Sequence, residues 1–492
     1  MTRVLCAFGC ALSVALPGAA AERPWTLTRG RNVTIVGQQS PKALRRIAVE
    51  IEQFRTALGS LVSDEGRLMP TVVYVFDNRR DLEPFLPLHQ GRAAALDGYC
   101  HCGPDTDINF IAASVAGYAG ASAIIFHEYT HLLVRDTWRG VPVWLNEGLA
   151  EYYSTFRLTA DGHRAEIGRP VERHVDALRR QYIPVADLLA VDQSSAVYNE
   201  GDRRSVFYAE AWLLTHYLLT ERPNGAAAIG RYLHAVTPGR PAGQAFLEAF
   251  GLSPLEMDAE VRQYSKRPSF RSVIYEFPAR VDVEPVLART LAPAEAQARL
   301  GDVQMRVGRL DEAAVRIEAA AAAGPDVAPA QLTLGLLRLA QHRMDEAWLP
   351  LQKAAALAPD DFFTQYTLGL SLLRKDVGSG VDVEDPRELA HAALTRALVV
   401  NPLSADALAW QAYTDLALDT RMPEARAAIT RAVELAPNRL DFRLRLAEVY
   451  LRSGAWGEAR RLLTELVSAT GDESAVKQAR ALLAQLNRQR DK

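Results

Sequence analysis

Cysteine is scarce in this sequence of 492 residues, which contains only 4. Two of them, Cys6 and Cys10, lie in an N-terminal segment that we expect to be removed, so Cys100 and Cys102 are the cysteines of the mature chain. A framework of disulfides, as in small secreted domains, is therefore excluded. The length instead predicts two or three domains that each bury a hydrophobic core.

A charge excess of either sign is also missing. The 56 basic and 59 acidic residues leave a net charge of -3. This balance gives no reason to expect nucleic acid as a partner. After the first 21 residues no apolar run approaches the roughly 20 residues that span a bilayer, so we expect no stable membrane insertion of the mature chain.

Residues 1–21 have the pattern of a secretory signal. Arg3 precedes an apolar run over residues 4–16, and the small residues Ala19, Ala20 and Ala21 supply an A-x-A cleavage site. A membrane anchor is the alternative, but the run is shorter than the roughly 20 residues of a spanning helix. We predict a secreted protein, located in a bacterial periplasm after cleavage.

The first part of the mature chain mixes strand and helix patterns. Alternating residues predict a strand over 25–37, helical apolar spacing covers 41–61, and TVVYVF at 71–76 is typical of a buried strand. Helices are predicted at about 119–135 and 142–156. These patterns indicate an α+β domain with a small mixed sheet, followed by a mostly helical half from 142 to about 264.

From about residue 291 the sequence is rich in Ala and Leu and repeats with a period of 34 residues. Leu300-Gly301, Leu334-Gly335 and Leu368-Gly369 have this spacing, and Ala313 and Ala347 follow at equal offsets. The pattern resembles the tetratricopeptide repeat, which implies an all-α solenoid whose concave face holds a peptide or a partner protein. A generic Ala-rich helical bundle is the alternative, but it does not predict the period.

One stretch of the sequence carries the chemistry of a metal site. His127-Glu128-Tyr129-Thr130-His131 is an H-E-x-x-H sequence in a segment free of Gly and Pro. In a helix the two imidazoles project from one face, and Glu128 lies beside them. Imidazoles suit zinc, and the carboxylate can accept a proton from a zinc-activated water.

A third metal ligand is expected from Glu147, in the segment WLNEGLAEY at 144–152. This segment resembles the glutamate-ligand helix of the gluzincin metallopeptidases, which include thermolysin and aminopeptidase N. The spacing between the two motifs is similar to that of bacterial peptidase-MA-like proteins, and this similarity covers roughly residues 25–265. The resemblance implies a zincin-like fold that holds one Zn²⁺ per chain through His127, His131 and Glu147, with Glu128 as catalytic base.

The resemblance also suggests residues that assist the metal ligands. Glu151 and Asn146 are expected to contact the metal ligands and hold them in position without binding the metal themselves. A solvated carboxylate is the alternative for Glu151. Tyr208 takes the place of the tyrosine that stabilises the oxyanion, with a buried core aromatic as its alternative. Tyr198 and His216 are weaker candidates for the oxyanion role.

The sequence departs from the resemblance before the metal helix. The G-x-M-E-N signature of aminopeptidase N is absent, and residues 98–103 read GYCHCG. We therefore expect an endopeptidase rather than an aminopeptidase. A second metal at Cys100, His101 and Cys102 is disfavoured because alternating strand residues point to opposite faces; a loop or edge strand near the substrate cleft is the expectation for 98–113.

The predicted organisation is a signal at 1–21, a metallopeptidase domain at 22–267, a linker at 268–289 and repeats at 290–488. The predicted function is hydrolysis of peptide bonds by an exported zinc enzyme, with the repeats recruiting the substrate or a partner protein. Two alternatives are a catalytically inactive scaffold that acts through its repeats, and a zinc amidase acting on non-peptide or cell-wall material.

Overall fold

A computed structural model describes an N-terminal α+β region followed by a helical solenoid. The described residues are 23–62, 71–89, 91–102, 108–115, 120–137, 141–199, 201–236, 241–282, 286–373, 385–419, 421–437, 439–469 and 473–490. The predicted signal at 1–21 lies outside them. Among the described residues, no helix is both long enough and apolar enough to cross a membrane.

A six-stranded mixed sheet organises the N-terminal region, with the strand order β11-β1-β2-β3-β7-β6. Strands β2, β3 and β7 are parallel, and β1, β6 and β11 are antiparallel to their neighbours. A hairpin (β4, β5) and a three-stranded sheet of order β10-β9-β8 complete the strands. The strands are β1 Thr26–Arg29, β2 Val33–Gly37, β3 Thr71–Phe76, β4 Leu88–His89, β5 Arg92–Ala93, β6 Gly98–His101, β7 Asn109–Ser114, β8 Arg157–Leu158, β9 Arg164–Ile167, β10 Val273–Glu276 and β11 Leu287–Thr290.

The predicted single strand at 25–37 is wrong, because the chain turns between β1 and β2. The Gly30 amide donates to the Val33 carbonyl at 2.9 Å and closes the turn. The buried carboxylate of Glu52 accepts hydrogen bonds from the amides of Asn32 and Val33 at 2.6 and 3.2 Å. These bonds satisfy the backbone donors that the turn leaves unpaired.

Both faces of the six-stranded sheet are buried. On one face Val73 and Val75 pack in an apolar cluster with residues of helices α1 (Pro41–Val62) and α3 (Gly120–Thr137). On the other face Tyr74 and Phe76 pack in a cluster that includes Leu300 of helix α12 (Pro293–Arg306). Burial on both faces explains why residues 72–76 of β3 are hydrophobic in succession rather than at every second position.

The helical half of the N-terminal region is built around α4 and α8, with Trp144 and Trp212 fully buried in its core. The two helices predicted at about 119–135 and 142–156 are found as α3 and α4, although α4 ends three residues early because the chain turns into β8. The remaining helices before the solenoid are α2 Arg79–Leu82, a 3-10 turn at Glu83–Phe85, α4 Val143–Tyr153, α5 Glu172–Arg180, α6 Val185–Leu189, α7 Ala196–Asn199, α8 Gly201–Thr220, α9 Gly225–Ala235, α10 Ala242–Phe250 and α11 Pro254–Ser265.

The segment at 268–289, predicted as a linker, is part of both sheets instead. Strand β10 pairs with β9, and β11 pairs with β1 along its whole length. The 3-10 turn at Glu83–Phe85 then meets the solenoid, since Arg309 donates to the Leu86 carbonyl at 2.9 Å and Gln304 to the Pro84 carbonyl at 3.3 Å. Strand pairing and apolar packing therefore join the two regions continuously.

The solenoid consists of paired antiparallel helices. The small residue of each Leu-Gly pair lets the two helices of a unit touch: a side chain at Gly301, Gly335 or Gly369 would overlap Ile317, Leu351 or Leu394. The helices after α12 are α13 Leu310–Ala323, α14 Ala328–Ala340, α15 Met344–Leu357, α16 Phe362–Leu373, α17 Pro386–Val400, α18 Ala405–Leu418, α19 Met422–Leu435, α20 Leu440–Arg452, α21 Trp456–Ala469 and α22 Glu473–Arg490.

Candidate metal centre

Helix α3 presents the two histidines of the H-E-x-x-H sequence side by side. Because they are four residues apart, slightly more than one helical turn, both rings project from one face. The Nε2 atoms of His127 and His131 are 3.1 Å apart, with the rings nearly perpendicular. Helix α4 brings Glu147 against them, since its Oε2 lies 3.5 Å from His127 Nε2 and 3.4 Å from His131 Nε2.

The donor set of this cluster fits a divalent metal. One ligand atom from each of His127, His131 and Glu147 lies within 4.8 Å of the others. Glu147 is buried, and its Oε2 accepts no hydrogen bond from the described residues, although a buried carboxylate oxygen needs a partner. Two imidazole nitrogens and one carboxylate oxygen are a ligand set of catalytic zinc sites.

The charges within the cluster stabilise one another. Burial disfavours the imidazolium of His127, but the Glu147 carboxylate 3.5 Å away and the carboxylates of Glu151 and Glu128 outweigh burial and raise the pKa of His127 to about 9. Burial also disfavours the Glu147 carboxylate, yet the two imidazoles hold its pKa well below the usual range. A metal at this position would replace the proton, so binding would release protons.

Glu151 lies behind His127 and is buried, so the alternative of a solvated carboxylate is wrong. Its Oε1 is 3.5 Å from His127 Nδ1, and its Oε2 is 2.8 Å from His174 Nε2. Arg173 donates to both oxygens at 3.1 and 3.0 Å. Burial opposes ionisation, but His174, His127 and Arg173 lower the pKa of Glu151 to about 2. A charged Glu151 can orient the His127 ring.

Asn146 does not support the cluster as predicted. It makes no hydrogen bond with any residue that the structure describes, and its Oδ1 is buried without a partner. The next residue of α4, Glu147, points to the histidines. Because successive residues of a helix project about 100° apart, Asn146 points away from the histidines.

Tyr198 contacts Glu147 instead of lying free for an oxyanion. Its hydroxyl donates to Glu147 Oε1 at 3.0 Å, which leaves Oε2 towards the two imidazoles. His216, the other weaker candidate, is fully buried and hydrogen-bonded to the Gly168 carbonyl and the Tyr264 hydroxyl, both at 2.8 Å. These bonds and its burial fit a role in the core.

The cluster opens into a cavity of about 810 Å³. Glu128 and Tyr208 both line this cavity, and the Tyr208 ring centroid is 6.4 Å from that of His127. Tyr208 is only partly buried, unlike the core aromatics of α8. The lining also includes Gly98 of β6, and helix α5 contributes Arg173 and His174. The predicted base and the predicted oxyanion donor therefore share a cavity with His127.

The segment at 98–113 is only partly the edge strand that we predicted. β6 is the edge strand and its first residue lines the cavity, but β7 lies inside the sheet between β3 and β6. The structure joins Cys100 and Cys102 in a disulfide, which the sequence analysis did not predict. Because the two thiols are bonded to each other, they are not metal ligands in this structure.

The sequence did not predict that helix α5 contributes residues to the candidate metal centre. Arg173 and His174 follow Glu151 by more than 20 residues and belong to no recognisable motif. Only the packing of α5 beside α4 and α8 brings them to the Glu151 carboxylate. A charged residue and a histidine on an amphipathic helix are too common to be a signal without that packing.

Comparisons with known proteins identify the repeats. Family models of the tetratricopeptide repeat match residues 298–362 and 416–486, which confirms tetratricopeptide repeats in the C-terminal region. These repeats point to protein partners. A family described as a protein of unknown function (DUF1570) matches residues 121–238, which include the three clustered residues. A search of curated proteins finds no match.

Solved structures of repeat proteins are similar to part of the chain. YrrB, a TPR protein with an unusual peptide-binding site, is 19% identical with a TM-score of 0.33, over 38% of this chain and 92% of its own. A thermophilic TPR protein of Thermus thermophilus is 21% identical with a TM-score of 0.30, over 39% and 99%. The pilF protein of Pseudomonas aeruginosa is 17% identical with a TM-score of 0.31, over 40% and 90%.

Proposed function

We propose that the N-terminal region is a zinc-dependent peptidase with a gluzincin-like site, holding one Zn²⁺ per chain through His127, His131 and Glu147. The observation that carries this proposal is the unpartnered Glu147 Oε2, which faces both Nε2 atoms from within a buried pocket. Without a metal ion, this buried oxygen accepts no hydrogen bond from the described residues. A bound zinc ion would supply a Lewis acid that acidifies water and polarises a carbonyl group.

The side chains around the cavity have separate roles in the proposed reaction. Glu128 accepts a proton from the attacking water and returns it to the leaving amine. The Tyr208 hydroxyl donates a hydrogen bond to the oxyanion that forms on the substrate carbonyl. Glu151, held by Arg173 and His174, orients His127 through Nδ1.

The proposed substrate is a protein or peptide cleaved internally. The segment that carries the G-x-M-E-N signature in aminopeptidase N reads GYCHCG here and begins at the cavity wall with Gly98. This difference favours an endopeptidase. The repeats would recruit the substrate or a partner protein, and the signal pattern at 1–21 favours export to the periplasm.

A second candidate function is a binding scaffold that acts through its repeats, with a site that does not hydrolyse peptides. The two repeat family models favour it, because binding of partner proteins is what tetratricopeptide repeats indicate. A zinc amidase acting on cell-wall material is a third candidate that shares the metal site with the peptidase.

The change Glu128→Gln separates the enzyme from the scaffold. Gln has nearly the size of Glu and tolerates a helix, but it cannot accept the proton. We expect chelator-sensitive hydrolysis of denatured protein by the parent, and a loss of several orders of magnitude in the variant. Zinc content by mass spectrometry should stay at one per chain, because Glu128 is not a ligand.

The matched control is Glu172→Gln, which neutralises an exposed carboxylate of α5 and should leave hydrolysis unchanged. Full zinc occupancy in His127→Ala or His131→Ala would refute the metal site. If the parent binds zinc but cleaves neither denatured protein nor peptides, the scaffold or the amidase is supported; activity on cell-wall fragments would identify the amidase.

A further inference from the structure

The first helices of the repeat units form the inner face of the solenoid. Helix α12 contacts α14, and α16, α18, α20 and α22 contact one another in turn. The second helices of the units do not approach one another as closely. In a curved stack the elements on the concave side are the more closely spaced, so the concave face is formed by the first helices.

Arg445 of α20 reaches across this inner face to α18. Its guanidinium lies 4.6 Å from the centre of the Tyr413 ring and 5.3 Å from that of Trp410. Both distances are within the range of cation–π contacts. The Tyr413 side chain is exposed, whereas Trp410 and Arg445 are partly buried, so the guanidinium is recessed between two aromatic side chains at an accessible surface.

Within the part of the chain that the structure describes, the guanidinium of Arg445 forms no ion pair with a carboxylate. Among the described residues it makes no hydrogen bond and lies within 4.0 Å of no carboxylate. Asp441, one turn earlier, is paired with Arg439 at 2.8 Å. Glu448 lies one turn later but beyond ion-pair distance, and burial raises its pKa. A partly buried arginine with five unused N–H donors lacks hydrogen-bond acceptors, which a bound anion would supply.

We propose that Arg445, Trp410 and Tyr413 form a binding site for a glutamate side chain in an extended, acidic segment of a partner protein. The planar guanidinium matches a carboxylate in a bidentate arrangement. The methylene groups of glutamate would pack on the two aromatic rings. A side chain on a flexible stem reaches a recessed guanidinium more readily than a chain terminus does.

This inference does not depend on the proposed peptidase function, because the site lies in a different part of the chain. Binding is measured by fluorescence anisotropy with the full-length protein carrying Glu128→Gln, so that the probe cannot be cleaved. The probe is a labelled Ser-Gly-Glu-Glu-Gly-Ser peptide blocked at both ends. Two comparison probes carry Gln-Gln in place of Glu-Glu. One is blocked at both ends, and the other has a free C-terminus.

We expect the blocked Glu peptide to bind and the blocked Gln peptide to bind at least about tenfold more weakly. Arg445→Gln should abolish the difference, and Arg445→Lys should retain only part of it because an ammonium lacks the planar fork. Glu448→Gln should tighten binding, since it removes the nearest competing negative charge. This last variant keeps the arginine, so it tests the site even if Arg445→Gln fails to fold.

The matched control is Arg431→Gln, which removes an arginine paired with Glu434 on α19 and should leave binding unchanged. Equal binding of the blocked Glu and Gln peptides would overturn the proposal. Binding of only the peptide with a free C-terminus would also overturn it, because the site would then recognise a chain terminus. A weaker affinity in Glu448→Gln would show that Glu448, not Arg445, determines binding.

Discussion

The rings of Tyr198 and Tyr208 lie 6.4 Å apart, yet the two side chains contact different groups. The Tyr198 hydroxyl donates to Glu147 Oε1, while Tyr208 lines the cavity. A hydrogen bond to one carboxylate oxygen determines which oxygen is left for a metal. In the proposed reaction Tyr198 would position Glu147, and Tyr208 would face the substrate.

We predict that Tyr198→Phe weakens zinc binding about 10- to 100-fold, because Glu147 loses the bond that orients it. Tyr208→Phe should instead lower kcat by about 10²-fold or more with zinc affinity and KM near normal. Zinc affinity is measured by competition with a chromophoric chelator, and kcat on a fluorogenic peptide.

Tyr217→Phe is the control for both changes, because it removes a tyrosine-to-carboxylate bond to Glu260 at 2.5 Å, and Tyr217 is not among the residues that line the cavity. Tyr217→Phe should change neither the zinc affinity nor kcat. Unchanged zinc affinity in Tyr198→Phe would show that Glu147 is held by its helix alone. An unchanged kcat in Tyr208→Phe would remove Tyr208 from the reaction.

Glu210, two residues after Tyr208, is a buried carboxyl that favours its neutral form. Burial is the main cause, and nearby Asp258 adds to it, so that the pKa of Glu210 rises to about 9. Its one hydrogen bond with a described residue is from the Ile183 amide, at 3.3 Å. Between the unfolded pKa of about 4.3 and the folded pKa, the folded state holds a proton that the unfolded state has lost.

Glu210 therefore makes the protein less stable as the pH rises from about 4.3 towards 9. Glu210→Gln should have an unfolding free energy close to that of the parent near pH 4, and a higher one at pH 8. Denaturant unfolding at several pH values measures the difference between the two proteins. A difference that does not change with pH would show that the carboxyl is charged in the fold.

Helices α4 and α8 approach each other more closely than side chains normally allow. Gly148 lies at their contact, and a methyl group there would overlap the Thr215 hydroxyl and the Ala211 carbonyl of α8. The residue before it, Glu147, is the predicted metal ligand. The contact between the two helices therefore sets the position of the carboxylate relative to the histidines of α3.

Gly148→Ala should destabilise the fold by about 1–3 kcal/mol, because overpacking against a backbone carbonyl forces the helices apart. Zinc affinity should fall with it, since Glu147 moves with α4. The matched control is Gly230→Ala in α9, where a methyl group meets no atom within 4 Å. That change should stabilise by up to about 1 kcal/mol through helix propensity. A normal melting temperature in Gly148→Ala would contradict the close contact.

In the whole molecule, the N-terminal sheet lies between two helical layers, and one of these belongs to the repeats. Leu300 of α12 packs in the same buried cluster as Tyr74 and Phe76 of β3. The Phe85 ring lies 5.5 Å from the guanidinium carbon of Arg316 on α13. The first repeat thus completes the core of the N-terminal region, and the packing of that region extends beyond residue 267.

We predict that a chain ending at residue 289 is unstable, because it loses α12 and exposes one apolar face of the sheet. A chain ending at residue 323, after α13, keeps that cover and should remain folded with a single cooperative transition. Binding of a hydrophobic dye and denaturant unfolding measure the difference. If the chain ending at 289 unfolds cooperatively and cleaves a short peptide as well as the full chain, the cover by α12 is dispensable.

Several features follow from the sequence alone, because they depend on spacing within short segments. Four residues between His127 and His131 place two imidazoles on one helical face, whatever surrounds the helix. The 34-residue period determines the repeats, since each unit packs mainly on its neighbours. Strand β3 and helix α3 were predicted for the same reason.

Other features were decided only by tertiary structure, because they join residues that are far apart in the chain. The bond from Tyr198 to Glu147 and the pairing of His174 with Glu151 depend on how α4, α5 and α8 pack. The role of 268–289 depends on strand partners more than 100 residues earlier. A local pattern specifies which face a side chain occupies on its element, but packing of the whole chain determines which group that side chain meets.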